Sequence, residues 1–146
     1  MQNIERLLAE KGIYACATQG NSMEPMLREG RDRVIITRPE FPLKKYDVPV
    51  YRRDGHYTMH RIVWVTKKGY IICGDNRAVL EKDITDKDIV GVLEGYYRGD
   101  EYISCEDKEY LRYVKSVCRK YPIRLAKYIT YRIVDKIKRI IKTTFS

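Results

Sequence analysis

The chain has 146 residues, enough for one ordinary domain and too few for two large ones, with 44% hydrophobic and 34% charged residues. Its net charge is +9, yet residues 119–146 hold nine Lys/Arg against one acid, Asp135, a balance of +8, and residues 1–118 are nearly neutral at +1. The basicity therefore belongs to a C-terminal segment, which argues against a nucleic-acid-binding body and leaves no nucleic-acid partner expected.

In chain order, Ile4-Glu5-Arg6-Leu7-Leu8 predicts a short amphipathic helix stopped at Gly12. Its acids, and the lack of an apolar stretch behind them, set the N-terminus apart from a secretory signal. Ile13 to Thr18 predicts a strand running into the turn Gln19-Gly20-Asn21. Val34 to Thr37 predicts a second strand, and Val48 to Arg52 a third that Pro49 assigns to an edge or a bulge. After the Asp54-Gly55 turn, Tyr57–Thr66 and Tyr70–Cys73 predict paired strands around Lys67-Lys68-Gly69. Ile89 to Tyr97 is the last long strand, turning back at Arg98-Gly99-Asp100 into Glu101–Ser104. Thirteen tyrosines against two Phe and one Trp suit half-buried strands.

Beyond Ser104 the pattern becomes helical. Ser104 and Asp107 have capping-box spacing, with a helix expected over 106–121 and a second over 123–142, separated by a break at Pro122. The fold class expected is mostly β, with a β-domain over residues 1–104 and a basic amphipathic helical tail over 105–146. No hydrophobic run approaches the ~20 residues that span a bilayer, so the chain is expected to stay cytoplasmic, where it is made. Cys16, Cys73, Cys105 and Cys118 form no C-x-x-C pair and lie outside metal-ligand spacing from the two histidines. Reduced, partly buried thiols and no structural zinc are expected.

Three features carry chemistry. In Gly20-Asn21-Ser22-Met23-Glu24-Pro25-Met26-Leu27 a serine follows a turn, and Pro25 sits where a helix or tight turn begins. A serine so placed exposes its hydroxyl and its own N–H, as acyl transfer requires; the plainer alternative is a helix cap. His60, inside Tyr57-Thr58-Met59-His60-Arg61-Ile62-Val63, supplies an imidazole with an ordinary pKa near ~6.5, suited to deprotonating a hydroxyl. The plainer alternative is a hydrogen-bonded strand histidine. Asp75 of Gly74-Asp75-Asn76 is placed to orient that histidine, or simply to make a turn.

Together, and in this order, these segments resemble the boxes of the type I signal peptidases and the related SOS-repressor peptidases. Gly20 to Leu27 matches the G-x-S-M-x-P-x-L serine box, Gly30 to Val34 a G-D-x-V step with one inserted residue, and Lys45 to Val50, loosely, a G-D-[IV]-V strand. His60-Arg61-Ile62 matches the strand of the general base, Gly74-Asp75-Asn76 the G-D-N box, and Lys87 to Gly91 the last strand. Histidine at the base position is similar to the Ser–His branch, archaeal and endoplasmic-reticulum, rather than the lysine branches. The resemblance implies a small coiled β-sheet of signal-peptidase type. It implies a serine endopeptidase that removes a leader or signal peptide, with small residues favoured just before the cut. By that resemblance Ser22 is the nucleophile, His60 the base, and Asp75 the orienting acid, with Asp83 as the weaker candidate. Asn21, Met23 and Pro25 then belong to oxyanion stabilisation and substrate binding. No metal or cofactor is implied. The family's transmembrane anchors have no counterpart in this sequence, and Gly20 offers no side-chain donor to an oxyanion.

Two rival functions stand beside this one. A self-cleaving regulator related to the SOS-repressor peptidases would need a DNA-binding module, for which the ~20 residues before the serine box leave no room. A catalytically inactive peptide-binding module would not need both Ser22 and His60.

At about 100° per residue, Ile123, Leu125, Ala126, Ile129, Ile133, Val134, Ile137, Ile140 and Ile141 fall in one half-turn of arc, and Arg124, Lys127, Arg132, Lys138, Arg139 and Lys142 in the other, with only Lys136 at the wrong edge. Three dockings fit such a helix over 123–142: a peripheral membrane contact, packing on its own β-domain, or a partner's acidic groove.

Overall fold

A computed structural model describes residues 4–144; Met1 to Asn3 and Phe145 to Ser146, the outer ends of the two expected segments, lie outside it. The described order is α1 (Ile4–Lys11), β1 (Ile13–Ala17), β2 (Asp32–Thr37), β3 (Pro49–Arg53), β4 (His56–Met59), β5 (Arg61–Thr66) and β6 (Gly69–Cys73). It continues through β7 (Glu81–Ile84), β8 (Ile89–Arg98), β9 (Glu101–Ser104), α2 (Lys108–Arg119) and α3 (Tyr121–Thr144). Strand residues outnumber helical ones, as the mostly β expectation requires.

The strands form two antiparallel sheets. One runs β1-β2-β8-β3-β4, with β9 added to β8, and the other runs β5-β6-β7. Bulges at Ile35/Ile36 in β2 and Val50/Tyr51 in β3 bend the larger sheet, because an extra residue on one strand sharpens its local twist. Gly91 allows part of that packing: a Cβ there would stand 2.5 Å from Ile36 Cγ2 and 3.0 Å from Leu8 of α1.

Three sequence expectations need correction. The single strand expected over Tyr57–Thr66 is two strands in different sheets. Met59 pairs with Val50 in the first, Arg61 pairs with Cys73 in the second, and His60 alone makes the crossing. Of the two placements Pro49 leaves open for the third strand, the bulge is the one found, at Val50/Tyr51; β3 lies between β8 and β4, with Pro49 as its first residue. β7 carries no alternating apolar signal and was not expected as a strand; it is recruited by pairing with β6. The break before α3 falls at Lys120, not at Pro122, which sits in the first turn of α3 where no amide proton is needed.

The Ser104/Asp107 pair closes the turn ahead of α2 instead of capping it. The Ser104 N–H donates to Asp107 Oδ2 at 2.9 Å, the Glu106 N–H donates to Ser104 Oγ at 3.2 Å, and Asp107, the N-cap, makes no side-chain cap bond.

The largest core gathers Ile4 and Leu8 of α1, Leu27, Val34, Val48 and Leu93, closed by Tyr110 and Val114 of α2. The segment expected as one tail thus divides. α2 is part of the packed body, whereas α3 is attached only at its start, where Tyr121 and Leu125 pack on Val63 and Cys73. Among the described residues no helix is both long and apolar enough to cross a membrane.

Candidate active site

Ser22 lies in a turn, not at a helix start. The Glu24 N–H donates to Asn21 O at 3.1 Å and the Leu27 N–H to Met23 O at 3.0 Å, folding 21–27 into consecutive turns. Met23, Met26 and Leu27 are buried and fix the turn to the core. Two arginine–carboxylate clamps hold it further. Arg31, paired with the buried Asp32, donates to Met26 O at 3.0 Å, and Arg98 donates to the same oxygen at 2.8 Å. From the other side, Arg61 Nη2 lies 3.1 Å from Met26 Sδ. Asp32 would be raised by burial alone, but hydrogen bonds from Arg31 and from the Arg28 N–H outweigh this and hold its carboxyl below the ordinary value.

Gly74 and Asn76 pack on the serine itself. The Asn76 N–H donates to Ser22 O at 3.2 Å, and a Cβ on Gly74 would lie 2.6 Å from that oxygen. Ser22 is half-buried, and its Oγ and its own N–H have no hydrogen-bond partner among the described residues. Asn21 Oδ1 accepts from Arg77 Nη2 at 2.6 Å; arginine has only donors, so the amide oxygen faces it and the Asn21 NH₂ is left toward solvent. Pro25 is exposed, its carbonyl 3.3 Å from Arg31 Nη2.

His60 occupies the crossing between the sheets, and its Nδ1 is held by a carboxylate that the sequence did not point to. Glu81 Oε1 lies 2.6 Å from Nδ1 and accepts from the Tyr51 hydroxyl at 2.8 Å, while Tyr51 Oη lies 3.0 Å from Nδ1. Arg53 Nη1 donates to Glu81 Oε2 at 2.8 Å. The tautomer follows from counting protons. An ionised carboxylate only accepts, and the single Tyr51 proton is already given to Glu81, so Nδ1 carries the hydrogen and the neutral ring has its lone pair on Nε2. Burial would raise Glu81, but bonds from Tyr51 and His60 bring it below the ordinary carboxylate value and keep it ionised. Burial, then the Glu81 contact, pushes the Tyr51 phenol upward, so it remains a donor.

Asp75, expected to orient His60, does other work. Its two oxygens accept from Arg61 Nε at 2.8 Å and Nη2 at 2.7 Å, and Oδ2 also accepts from the Tyr113 hydroxyl at 3.1 Å. Arg61 is fully buried and further donates to Tyr46 O and the Tyr110 hydroxyl, both at 3.0 Å. The physical reason is that a buried guanidinium must have a counter-ion, and Asp75 is the one within its reach. Asp83, the weaker candidate, is exposed at the surface with φ of 64°.

Two cavities flank these groups. An apolar one of about 370 Å³ has Ser22 on its wall together with Met23, Leu27, Val34, Val50 and Met59. A second, of about 610 Å³, is lined by His60, Asn76, Arg77, Glu81, Arg124 and Tyr128. No residue lines both, but their linings are linked: Met59, lining the first, precedes His60, and the N–H of Asn76, lining the second, donates to Ser22 O. No hydrogen bond joins Ser22 Oγ to His60 Nε2, and the two residues line different cavities. Chemically, the arrangement offers an unpartnered hydroxyl, a free N–H beside it, and a carboxylate-held imidazole with an open nitrogen.

Other nucleophiles are weaker. All four cysteines are free, and burial pushes the Cys73 and Cys105 thiols each up to about 11, which keeps them protonated at neutral pH. Among the described residues no His/Cys/Asp/Glu group has the arrangement of a metal site. Compared with known proteins, the chain matches no family model and no curated protein.

Proposed function

We propose that the protein is a serine endopeptidase of the signal-peptidase type, cutting a leader or signal segment from a peptide or protein. Ser22 attacks the scissile carbonyl, and His60 Nε2 takes the hydroxyl proton and returns it to the leaving amine. Glu81, rather than Asp75, holds the imidazole and stabilises its charged form. The Ser22 N–H faces the developing oxyanion, with the Asn21 NH₂ beside it. The apolar cavity on the Ser22 side accepts small apolar side chains of the acyl half of the substrate. The observation that carries this is the His60 geometry: Glu81 Oε1 at 2.6 Å and Tyr51 at 3.0 Å occupy Nδ1 and leave Nε2 as the open base. A histidine with a purely structural role has no need of an unbonded nitrogen beside a cavity that the residue lines.

The test is cleavage of leader-type peptides carrying alanine or glycine before a defined bond, read by mass spectrometry. Ser22→Ala should abolish cleavage while Tm stays within a few degrees, since an unbonded hydroxyl adds little to packing. Cleavage by the Ala variant at the wild-type rate would refute the mechanism.

A further inference from the structure

α3 runs for 24 residues, about 36 Å at ~1.5 Å per residue, and touches the body only through its first two turns. The Tyr121 hydroxyl donates to Ala78 O at 2.8 Å, Arg124 Nε donates to Arg77 O at 3.1 Å, and Leu125 packs on the Val63–Cys73 cluster. Further along, Ile133, Ile137 and Ile140 are 54%, 50% and 56% exposed, so the helix does not fold its apolar arc onto its own β-domain.

The direction of that arc is informative. At about 100° per residue, Tyr121, Arg124, Leu125 and Tyr128, which face the body, centre about 125° from the middle of the arc formed by Ile129, Ile133, Ile137 and Ile140, with Leu125 alone among them at the arc's edge. The body therefore sits against the charged side of the helix, and the isoleucines face away from it. The helix's one acid, Asp135, is taken by Arg139 at 2.9 Å, so the positive charge on the flanks is not neutralised by the helix itself.

We infer that α3 lies flat on an anionic membrane surface, its isoleucine arc in the acyl boundary and its lysines and arginines among the headgroups. A bilayer interface offers hydrocarbon and negative charge side by side along a whole helix length, which is the pairing this helix presents. A second copy would meet the arc with an equally basic helix and be repelled. The first turns of α3 also supply Arg124 and Tyr128 to the cavity that His60 lines, so docking holds that cavity at headgroup level. Membrane docking does not depend on the chemistry proposed for Ser22.

The experiment is co-sedimentation of the full-length chain with phosphatidylglycerol/phosphatidylcholine vesicles and with phosphatidylcholine vesicles, at low and high salt. The wild type should pellet with the anionic vesicles, much less with the neutral ones, and less at high salt. The double variant Ile133→Glu/Ile137→Glu should lose about a hundredfold or more in partitioning, from two buried isoleucines at ~1.5 kcal/mol or more each. Its Tm should be unchanged, and Ser22→Ala should bind as the wild type does. Failure of the wild type to pellet with anionic vesicles would overturn the inference. So would equal binding by the double variant, a large loss of Tm in it (the arc is then packed), or a wild-type dimer that the variant dissociates without any vesicle binding.

Discussion

Glutamine at position 81 keeps the size of the side chain and removes the charge that faces His60. In the wild type Oε1 receives two protons, from His60 Nδ1 at 2.6 Å and from Tyr51 at 2.8 Å, while Oε2 receives Arg53 at 2.8 Å. Glutamine has one oxygen and one NH₂ to cover the same three donors. If the oxygen stays toward His60, the NH₂ confronts Arg53 at the solvent side, the tautomer survives, and only the charge behind the imidazolium is lost. That loss is about 1.5–3 kcal/mol, or roughly 10- to 150-fold in rate. If the amide turns, its NH₂ points at Nδ1, the ring proton moves to Nε2, and the base is removed from the reaction, taking the loss toward about 10⁴-fold. The assay is kcat/KM of Glu81→Gln on a leader-type peptide, with Ser22→Ala as the baseline and thermal melting as the control for folding. The expected result is a loss between these limits with Tm changed by only a few degrees. A Glu81→Gln enzyme within about threefold of wild type would refute the assignment of Glu81 as the group that positions His60.

Asp75→Ala should act on stability first. It strands Arg61, whose side chain is 1% exposed, and losing one partner of such a pair costs about 3–5 kcal/mol. At about 2–4 °C per kcal/mol that is a Tm drop on the order of 10 °C by circular dichroism, and a drop under about 3 °C would contradict the buried-pair account. Gly74→Ala puts a methyl group 2.6 Å from Ser22 O and 3.2 Å from Ser22 Cβ, so the serine turn must move. Peptide cleavage should fall at least about tenfold, at a stability cost of about 1–3 kcal/mol by urea titration. Asp32 is held below its ordinary value of 3.8, so it stabilises the fold above that value and stops doing so as pH falls through its lower folded value. Urea midpoints should therefore decline as the pH is taken from about 5 to about 3, and Asp32→Asn, though less stable at neutral pH, should show a shallower decline.

Much of the fold is legible because its signals are local. The β-branched run Val34-Ile35-Ile36-Thr37, the Asp54-Gly55 turn and the long apolar strand from Ile89 are written in consecutive residues, and each forms where expected. β7 is not, because Glu81-Lys82-Asp83-Ile84 has no apolar alternation; it is a strand because β6 offers it an edge to pair with. Nor is the split at His60, since Met59 and Arg61 both suit strands and only their different partners, Val50 and Cys73, reveal that the chain changes sheet.

The mistaken acid has the same origin, with one clue that sequence reasoning could have used. Successive side chains on extended backbone point to opposite sides, so His60 and Arg61 cannot share a single carboxylate. Arg61 heads a strand that continues into Ile62 and Val63, which puts its guanidinium in the core, and a buried guanidinium takes the nearest carboxylate as a necessity rather than an option. In Gly74-Asp75-Asn76 that carboxylate is Asp75, already bonded through both oxygens. The acid for His60 then has to come from the other side of the strand. Glu81, 21 positions beyond His60, reaches it only because β7 pairs with β6 and brings Glu81 opposite Ile72. A histidine followed directly by a core arginine therefore calls for two carboxylates, and the acid nearer in sequence goes to the residue that can least tolerate being unpaired.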